Sequence, residues 1–170
     1  EEIDKLSKDD NVDGLIIDIG AVKAGFAKRM EIRAALTRFR SNNKEIIVYS
    51  EKGISNKDYY LISMADNIIL NEFTGIWLTG ISFQLSFFRG LLDTLSIVPE
   101  VIRVNYDGKS YKTAGDQFLN RKMSKEMEEN YGDLLDDFYE IIIDGVSERF
   151  NNDINKTETI INRGPYWVSE

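Results

Sequence analysis

The chain has 170 residues and a formal net charge of −8, with 42% hydrophobic and 29% charged residues. This balance is typical of one globular domain, and the negative charge argues against nucleic-acid binding through a basic surface. The sequence contains no cysteine and no histidine. Disulfides, thiol nucleophiles, histidine-based triads and the usual zinc sites are therefore excluded, and we expect neither a metal nor a cofactor. Acid–base chemistry must come from Lys, Asp, Glu or Tyr.

Strand and helix patterns alternate at short intervals in the first part of the chain. Apolar runs predict strands over 14–19, 45–49 and 66–70, and the first run, rich in β-branched residues, is typical of a strand buried on both faces. Helical spacing predicts helices over 27–40 and 55–65. In the first helix Ile32, Leu36 and Phe39 share one face, and the basic residues Lys28, Arg29, Arg33 and Arg40 are predicted to point away from it. This alternation predicts an α/β architecture with mainly parallel, crossover-connected strands and flanking helices.

The second part of the chain is predicted to be mostly helical. We expect a helix from Ser82 to Leu95, a strand over 101–104, a loop over 107–118 and a long helix from Ser124 towards Phe150. The long helix has one apolar stripe at a spacing of three or four residues. Its many carboxylates are interpreted as a solvated helix face.

Lys112 is the candidate catalytic residue of the 107–118 loop. It follows a predicted strand and precedes a helix, which is where α/β proteins place functional loops, and its neighbours Tyr111, Thr113 and Ala114 are uncharged. Burial lowers the pKa of a lysine, and a neutral lysine can take the proton of a serine hydroxyl, as in Ser–Lys hydrolases. The alternative is an ordinary surface lysine in a basic loop that also contains Lys109.

The segment around Lys112 contains, in order, Arg103-Val104, Gly108-Lys109, Tyr111-Lys112-Thr113-Ala114, Phe118, Arg121 and Met123-Ser124. This order resembles the first half of the signal peptide peptidase A family, also called protease IV. Two further segments resemble that family: Asp58-Tyr59-Tyr60-Leu61 and Phe87-Phe88-Arg89-Gly90-Leu91-Leu92-Asp93-Thr94-Leu95. The resemblance extends from residue 13 to about residue 150. It implies a ClpP/crotonase-like fold in which residues 1–170 form a single domain, and it implies that the chain is a fragment of a longer two-repeat chain.

The resemblance also implies roles for individual residues. The family's general-base lysine corresponds to Lys112, and Lys109 is the alternative because Ser110 is inserted between them. The family's nucleophilic serine corresponds to Asn56, so the serine is expected in a C-terminal half, and Ser55 is interpreted as a helix N-cap. The loop from Gly20 to Gly25 resembles the crotonase-type segment that offers N–H groups to an oxyanion; simple turn glycines are the alternative.

Family properties complete the expectations. The resemblance implies a serine endopeptidase that degrades cleaved signal peptides and other hydrophobic peptides, with this chain inactive by itself. It implies contacts with a C-terminal domain and with other subunits of an oligomer. It also implies a missing N-terminal anchor in the bacterial cytoplasmic membrane and a catalytic body on the periplasmic side. Two other hypotheses stay open: a non-catalytic scaffold of the same fold, and a crotonase-like enzyme that acts on acyl-CoA.

Overall fold

A computed structural model of the protein describes residues 1–104 and 110–168. The chain divides into two compact units, one of residues 1–80 with 140–170 and one of residues 81–139. Its helices are α1 Glu2–Leu6, α2 Phe26–Ser41, α3 Asn56–Ile62, α4 Arg89–Thr94, α5 Asp116–Leu119, α6 Lys125–Ser147 and α7 Ile154–Arg163. Its strands are β1 Gly14–Asp18, β2 Glu45–Ser50, β3 Ile54–Ser55, β4 Asn67–Leu70, β5 Gly75–Trp77 and β6 Tyr166–Trp167.

The first unit contains two three-stranded sheets. The order β1-β2-β4 is parallel throughout, and each connection between neighbouring strands includes a helix. In the second sheet β5 pairs in parallel with β3 and antiparallel with β6. The predicted fold class is therefore confirmed: an α/β structure with mainly parallel, crossover-connected strands and flanking helices, consistent with the ClpP/crotonase-like fold.

Only one face of the β1-β2-β4 sheet is buried. Successive strand residues point to opposite faces, and Ile46 and Val48 on the inner face are fully buried. On the other face Ile16 is 81% exposed and Ile69 is 52% exposed. The prediction that the first strand is buried on both faces was wrong, because the residues of β1 alternate between the inner face and a face that the described residues leave exposed.

Helix α2 buries two arginines, which corrects the prediction that they point away from its buried apolar face. Arg29 and Arg33 are each only 5% exposed. The guanidinium of Arg33 donates to the carbonyl oxygens of Tyr60 at 2.6 Å and Gly145 at 2.7 Å. It also donates to the hydroxyl of Ser63 and to the Glu148 carboxylate, both at 2.8 Å. Buried arginines are tolerated when all their donors find such acceptors.

The second unit contains less regular structure than the sequence predicted. The helix expected from Ser82 to Leu95 is confined to α4, and the strand expected over 101–104 is absent. In that segment Ile102 and Val104 are exposed, and no backbone–backbone hydrogen bond joins the segment to a described residue. An apolar β-branched run forms a strand only when a neighbouring strand satisfies its backbone groups, and here none does.

Candidate active site

Lys112 lies in the second unit, directly before the short 3₁₀ turn Thr113–Gly115 and helix α5. Its side chain is exposed, so the described residues of this chain do not supply the desolvation that a neutral lysine needs. Within residues 1–104 and 110–168 the Lys112 amine makes no hydrogen bond and no ion pair. The alternative base, Lys109, lies outside the described residues.

Tyr111, the residue before Lys112, is hydrogen-bonded to helix α6. The Tyr111 hydroxyl donates to Oε2 of Glu129 at 2.8 Å, and the Tyr111 carbonyl oxygen accepts from Nδ2 of Asn130 at 3.3 Å. The pKa of Tyr111 is raised, chiefly because its protonated hydroxyl donates this hydrogen bond to the Glu129 carboxylate. Both contacts fix the backbone on the N-terminal side of Lys112.

After Lys112 the chain is held in place by hydrogen bonds to the carboxylate of Asp116, which is 1% exposed. Its Oδ1 accepts from Nη1 of Arg103 at 2.7 Å, and its Oδ2 accepts from Oγ of Ser124 at 2.5 Å. Ser124 Oγ in turn accepts from the Met127 N–H at 3.3 Å, as the side chain of a helix N-cap does. Asp116 therefore joins the segment after Lys112 to the start of α6.

Asn56, which the sequence resemblance matched to the family's nucleophile position, is the first residue of α3 in the first unit. Its Oδ1 accepts from the Thr79 N–H at 2.7 Å, and its Nδ2 donates to the Gly80 carbonyl at 3.3 Å. Ser55 precedes it as the N-cap: Ser55 Oγ accepts from the Asp58 N–H and donates to Oδ2 of Asp58 at 2.6 Å. The N-cap interpretation of Ser55 is confirmed.

Arg29 connects the 20–25 loop to the start of α3. Its Nε donates to the Ala24 carbonyl at 3.1 Å and its Nη2 to the Val22 carbonyl at 2.6 Å, while Nη1 pairs with Asp58. The amides of residues 20–24 donate to no described residue, and a Cβ at Gly20 or Gly25 would meet nothing within 4 Å. The loop therefore has the free N–H groups that an oxyanion site needs, although an ordinary exposed loop has them too.

Sequence reasoning missed the buried contacts of three charged residues, Arg29, Arg33 and Asp116. Arg29 and Arg33 stand four residues apart and at helical spacing from Leu36, a signal that places all three on one face of α2. Asp116 is the carboxylate that stands four residues after Lys112, where the resembling family has Glu-Pro. The candidate residues belong to different units, since Asn56 and the 20–25 loop lie in the first and Lys112 in the second.

Other features of the described residues do not extend this site. A surface pocket in the first unit is lined by Arg40, Asp66 and Arg149 among others, and includes none of the candidate residues. Residues 1–104 and 110–168 contain no group of three or more carboxylates able to hold a metal ion. Within the same ranges no helix combines the length and the apolarity needed to cross a bilayer.

Comparison with known proteins relates this geometry to a family. The chain is 32% identical over its full length to the chloroplastic serine protease SPPA of Arabidopsis thaliana, of which it covers 24%. It is 29% identical to Protease 4 of Haemophilus influenzae over 96% of the chain and 26% of that protein. With Protease 4 of Salmonella typhi it shares 30% identity over 71% of the chain and 19% of that protein. The chain thus spans about a quarter, or less, of the length of these relatives.

The family model described as peptidase family S49 matches residues 38–169. This range includes Asn56, Lys112, Asp116 and the long helix α6. The resemblance inferred from the sequence is confirmed, because the model covers most of the chain and the named relatives are proteases: the chain belongs to peptidase family S49.

Proposed function

We propose that this chain is the lysine-bearing ClpP/crotonase-like domain of a longer, two-repeat Ser–Lys peptidase. In this proposal Lys112 is the general base, and the nucleophilic serine belongs to another part of the protein. The observation that supports it most is Asn56: at the nucleophile position this chain has an amide that hydrogen-bonds to the backbone of Thr79 and Gly80. This chain therefore has a fixed lysine loop without a serine of its own at the expected place.

The chemistry follows from the proton affinity of a neutral lysine. Lys112 accepts the proton of the serine hydroxyl as the serine oxygen attacks the peptide carbonyl, and the resulting ammonium gives that proton to the leaving amine. Water then hydrolyses the acyl-enzyme, with Lys112 again as base. Because Lys112 is exposed in this chain, we propose that the serine-bearing part covers it in the full-length protein and so supplies the desolvation that a neutral lysine needs. The amides of the 20–25 loop are proposed oxyanion donors.

Substrate, assembly and location are proposed from the family resemblance. The substrates are signal peptide remnants and other hydrophobic peptides. The partners are the C-terminal domain and identical subunits of an oligomer. The location is the bacterial cell envelope, with an N-terminal membrane anchor and the catalytic body on the periplasmic side. Membership of a peptidase family favours peptide hydrolysis over the acyl-CoA chemistry of crotonases.

A serine-reactive phosphonate probe tests the assignment of Lys112. The full-length protein is labelled as wild type, as Lys112→Met and as Lys122→Met, a matched control that removes another exposed lysine of the same unit. Intact mass reports the labelled fraction. We expect labelling of wild type and of the control, and a loss of at least about a hundred-fold in rate for Lys112→Met, the usual scale for general-base catalysis. Equal labelling of all three proteins would assign the base elsewhere, with Lys109 as the next residue to substitute.

A non-catalytic scaffold is the second candidate function. Two observations favour it: Asn56 has no nucleophilic group, and Lys112 is exposed in this chain. The same experiment separates it from the first proposal, because a folded full-length protein that takes no label even as wild type is expected only for the scaffold.

A further inference from the structure

Lys112 lies within a closed ring of contacts, here called the lysine ring: Tyr111, Lys112, Asp116, Ser124, Glu129 and Asn130. On one side of Lys112 the chain continues through the buried Thr113 to Asp116, whose carboxylate accepts from Ser124 at the start of α6. On the other side Tyr111 is held by the Glu129 carboxylate and the Asn130 amide, which lie in the second turn of the same helix. The helix therefore closes the ring and fixes the backbone on both sides of the lysine.

Asp116 is the most buried charged group of this ring. Its side chain is 2% exposed, compared with 21% for the Arg103 side chain that pairs with it. A carboxylate in such a place is retained only with good partners, and here each of its oxygens accepts a hydrogen bond. Removing the charge would leave Arg103 without its ion pair. It would also weaken the hydrogen bond from Ser124, the N-cap of α6.

Packing makes the segment between Lys112 and Asp116 short and stiff. Thr113 is buried, and a Cβ added at Gly115 would lie 2.8 Å from Cγ1 of Val101, so the turn fits closely against the preceding segment. The three residues between them have little freedom, so a displacement of Asp116 is transmitted directly to Lys112. The amine itself is free of described partners, so its position depends on its backbone.

We infer that Asp116 is a positioning residue for Lys112, an inference that rests on the proposed role of Lys112 as general base. Asp116 contacts no reacting atom in this account. It acts by holding the lysine backbone where the amine reaches the serine hydroxyl, and a misplacement of about 1 Å can lower a rate about a hundred-fold.

The test measures the rate of phosphonate labelling of the full-length protein against pH. The variants are Asp116→Asn, which removes the charge at constant shape, and Asp116→Glu, which keeps the charge. Asp93→Asn is the matched control, because Asp93 also pairs with arginines of this unit but touches no residue of the lysine ring. We expect a 10- to 100-fold lower rate for Asp116→Asn across the pH range, substantial rescue by Asp116→Glu, and no change for Asp93→Asn.

A double-mutant comparison separates positioning from general stability. If Asp116 acts through Lys112, Asp116→Asn will not further lower the residual labelling rate of Lys112→Met. An equal loss in both backgrounds, or an Asp116→Asn rate equal to wild type while Lys112→Met is inactive, overturns the inference and leaves the proposed function intact. Wild-type labelling by Lys112→Met overturns the proposed function and the inference with it.

If Asp116→Asn does not fold, Tyr111→Phe provides a second test of the lysine ring. Tyr111→Phe removes only the hydrogen bond to Glu129, and Tyr111 is 49% exposed, so the fold tolerates the change. The inference expects a several-fold slower labelling rate that is again absent in the Lys112→Met background. A rate equal to wild type would overturn the ring as a positioning device.

Discussion

The buried guanidinium of Arg33 gives the sharpest prediction for stability. Arg33→Met keeps most of the side-chain volume but removes every donor to Tyr60, Ser63, Gly145 and Glu148. The Ser63 hydroxyl lies within hydrogen-bond distance of both abandoned carbonyls, those of Tyr60 and Gly145, but its single proton can satisfy only one. One buried carbonyl is therefore left without this donor.

The cost follows from these partners. An abandoned buried acceptor costs about 1–3 kcal/mol, and hydrogen bonds from a charged donor contribute about 1.5–3 kcal/mol each. We therefore expect Arg33→Met to lower the free energy of unfolding of the first unit by about 3 kcal/mol. The Glu148 side chain is 48% exposed, so solvent screens its ion pair with Arg33, and Glu148→Gln is expected to cost less than about 1 kcal/mol.

Hydrogen exchange measured by mass spectrometry on the full-length protein tests this ranking, because it reports the opening free energy of each segment separately. A loss of about 3 kcal/mol makes the amides of α2 and α3 exchange about 150-fold faster. Glu148→Gln is the matched control within the same network. Exchange in Arg33→Met within about five-fold of wild type, or an equally large effect of Glu148→Gln, would refute the assignment of the stabilisation to the buried carbonyls.

Three further predictions concern the nucleophile position, a close contact and acid stability. Asn56→Ser in the full-length protein is expected to add no second phosphonate-labelled serine, because the Asn56 side chain hydrogen-bonds to the backbone of Thr79 and Gly80, which supplies no base; a doubly labelled mass would contradict this. Gly145→Ala should destabilise the first unit by about 1–3 kcal/mol, since a Cβ there would lie 2.5 Å from Tyr60 Cε2. Thermal unfolding should show that Tyr60→Leu lowers stability less in the Gly145→Ala background than in wild type, because the smaller side chain relieves the clash. The pKa of Asp93 is lowered, chiefly by the hydrogen bond from Arg121, so its stabilisation is present above the unfolded pKa of about 3.9 and is lost as the pH falls; Asp93→Asn should therefore show a smaller loss of stability below about pH 4 in acid titrations followed by circular dichroism.

Local sequence patterns predicted most helices and strands of the first unit. The apolar runs at 14–19, 45–49 and 66–70 became β1, β2 and β4 within one residue at each end, and the periodic stretch at 27–40 became α2. Such elements depend on the spacing of neighbouring residues, which a sequence displays directly. The N-cap role of Ser55 was predictable for the same reason.

The second unit was predicted less well, because its extended apolar segment needs a partner. The run at 101–104 has strand composition, yet a strand exists only where another chain segment pairs with it. The helix expected from Ser82 was likewise confined to α4. Composition predicts which residues favour a conformation, but hydrogen-bond partners distant in sequence decide whether it forms.

The sequence by itself determined the family, the parallel α/β class and the identity of the candidate lysine, because motif order and hydrophobic periodicity are local properties. Only the tertiary structure decided how the polar groups are used. Arg33 is buried because carbonyl oxygens far along the chain accept its hydrogen bonds, and Arg29 is buried because it pairs with the distant carboxylate of Asp58. Asp116 is joined to Arg103 and Ser124 because the fold brings three separated segments within hydrogen-bond distance. A charged side chain is buried only where hydrogen-bond or ion-pair partners surround it. The tertiary fold supplies these partners, and the neighbouring residues in the sequence do not reveal them.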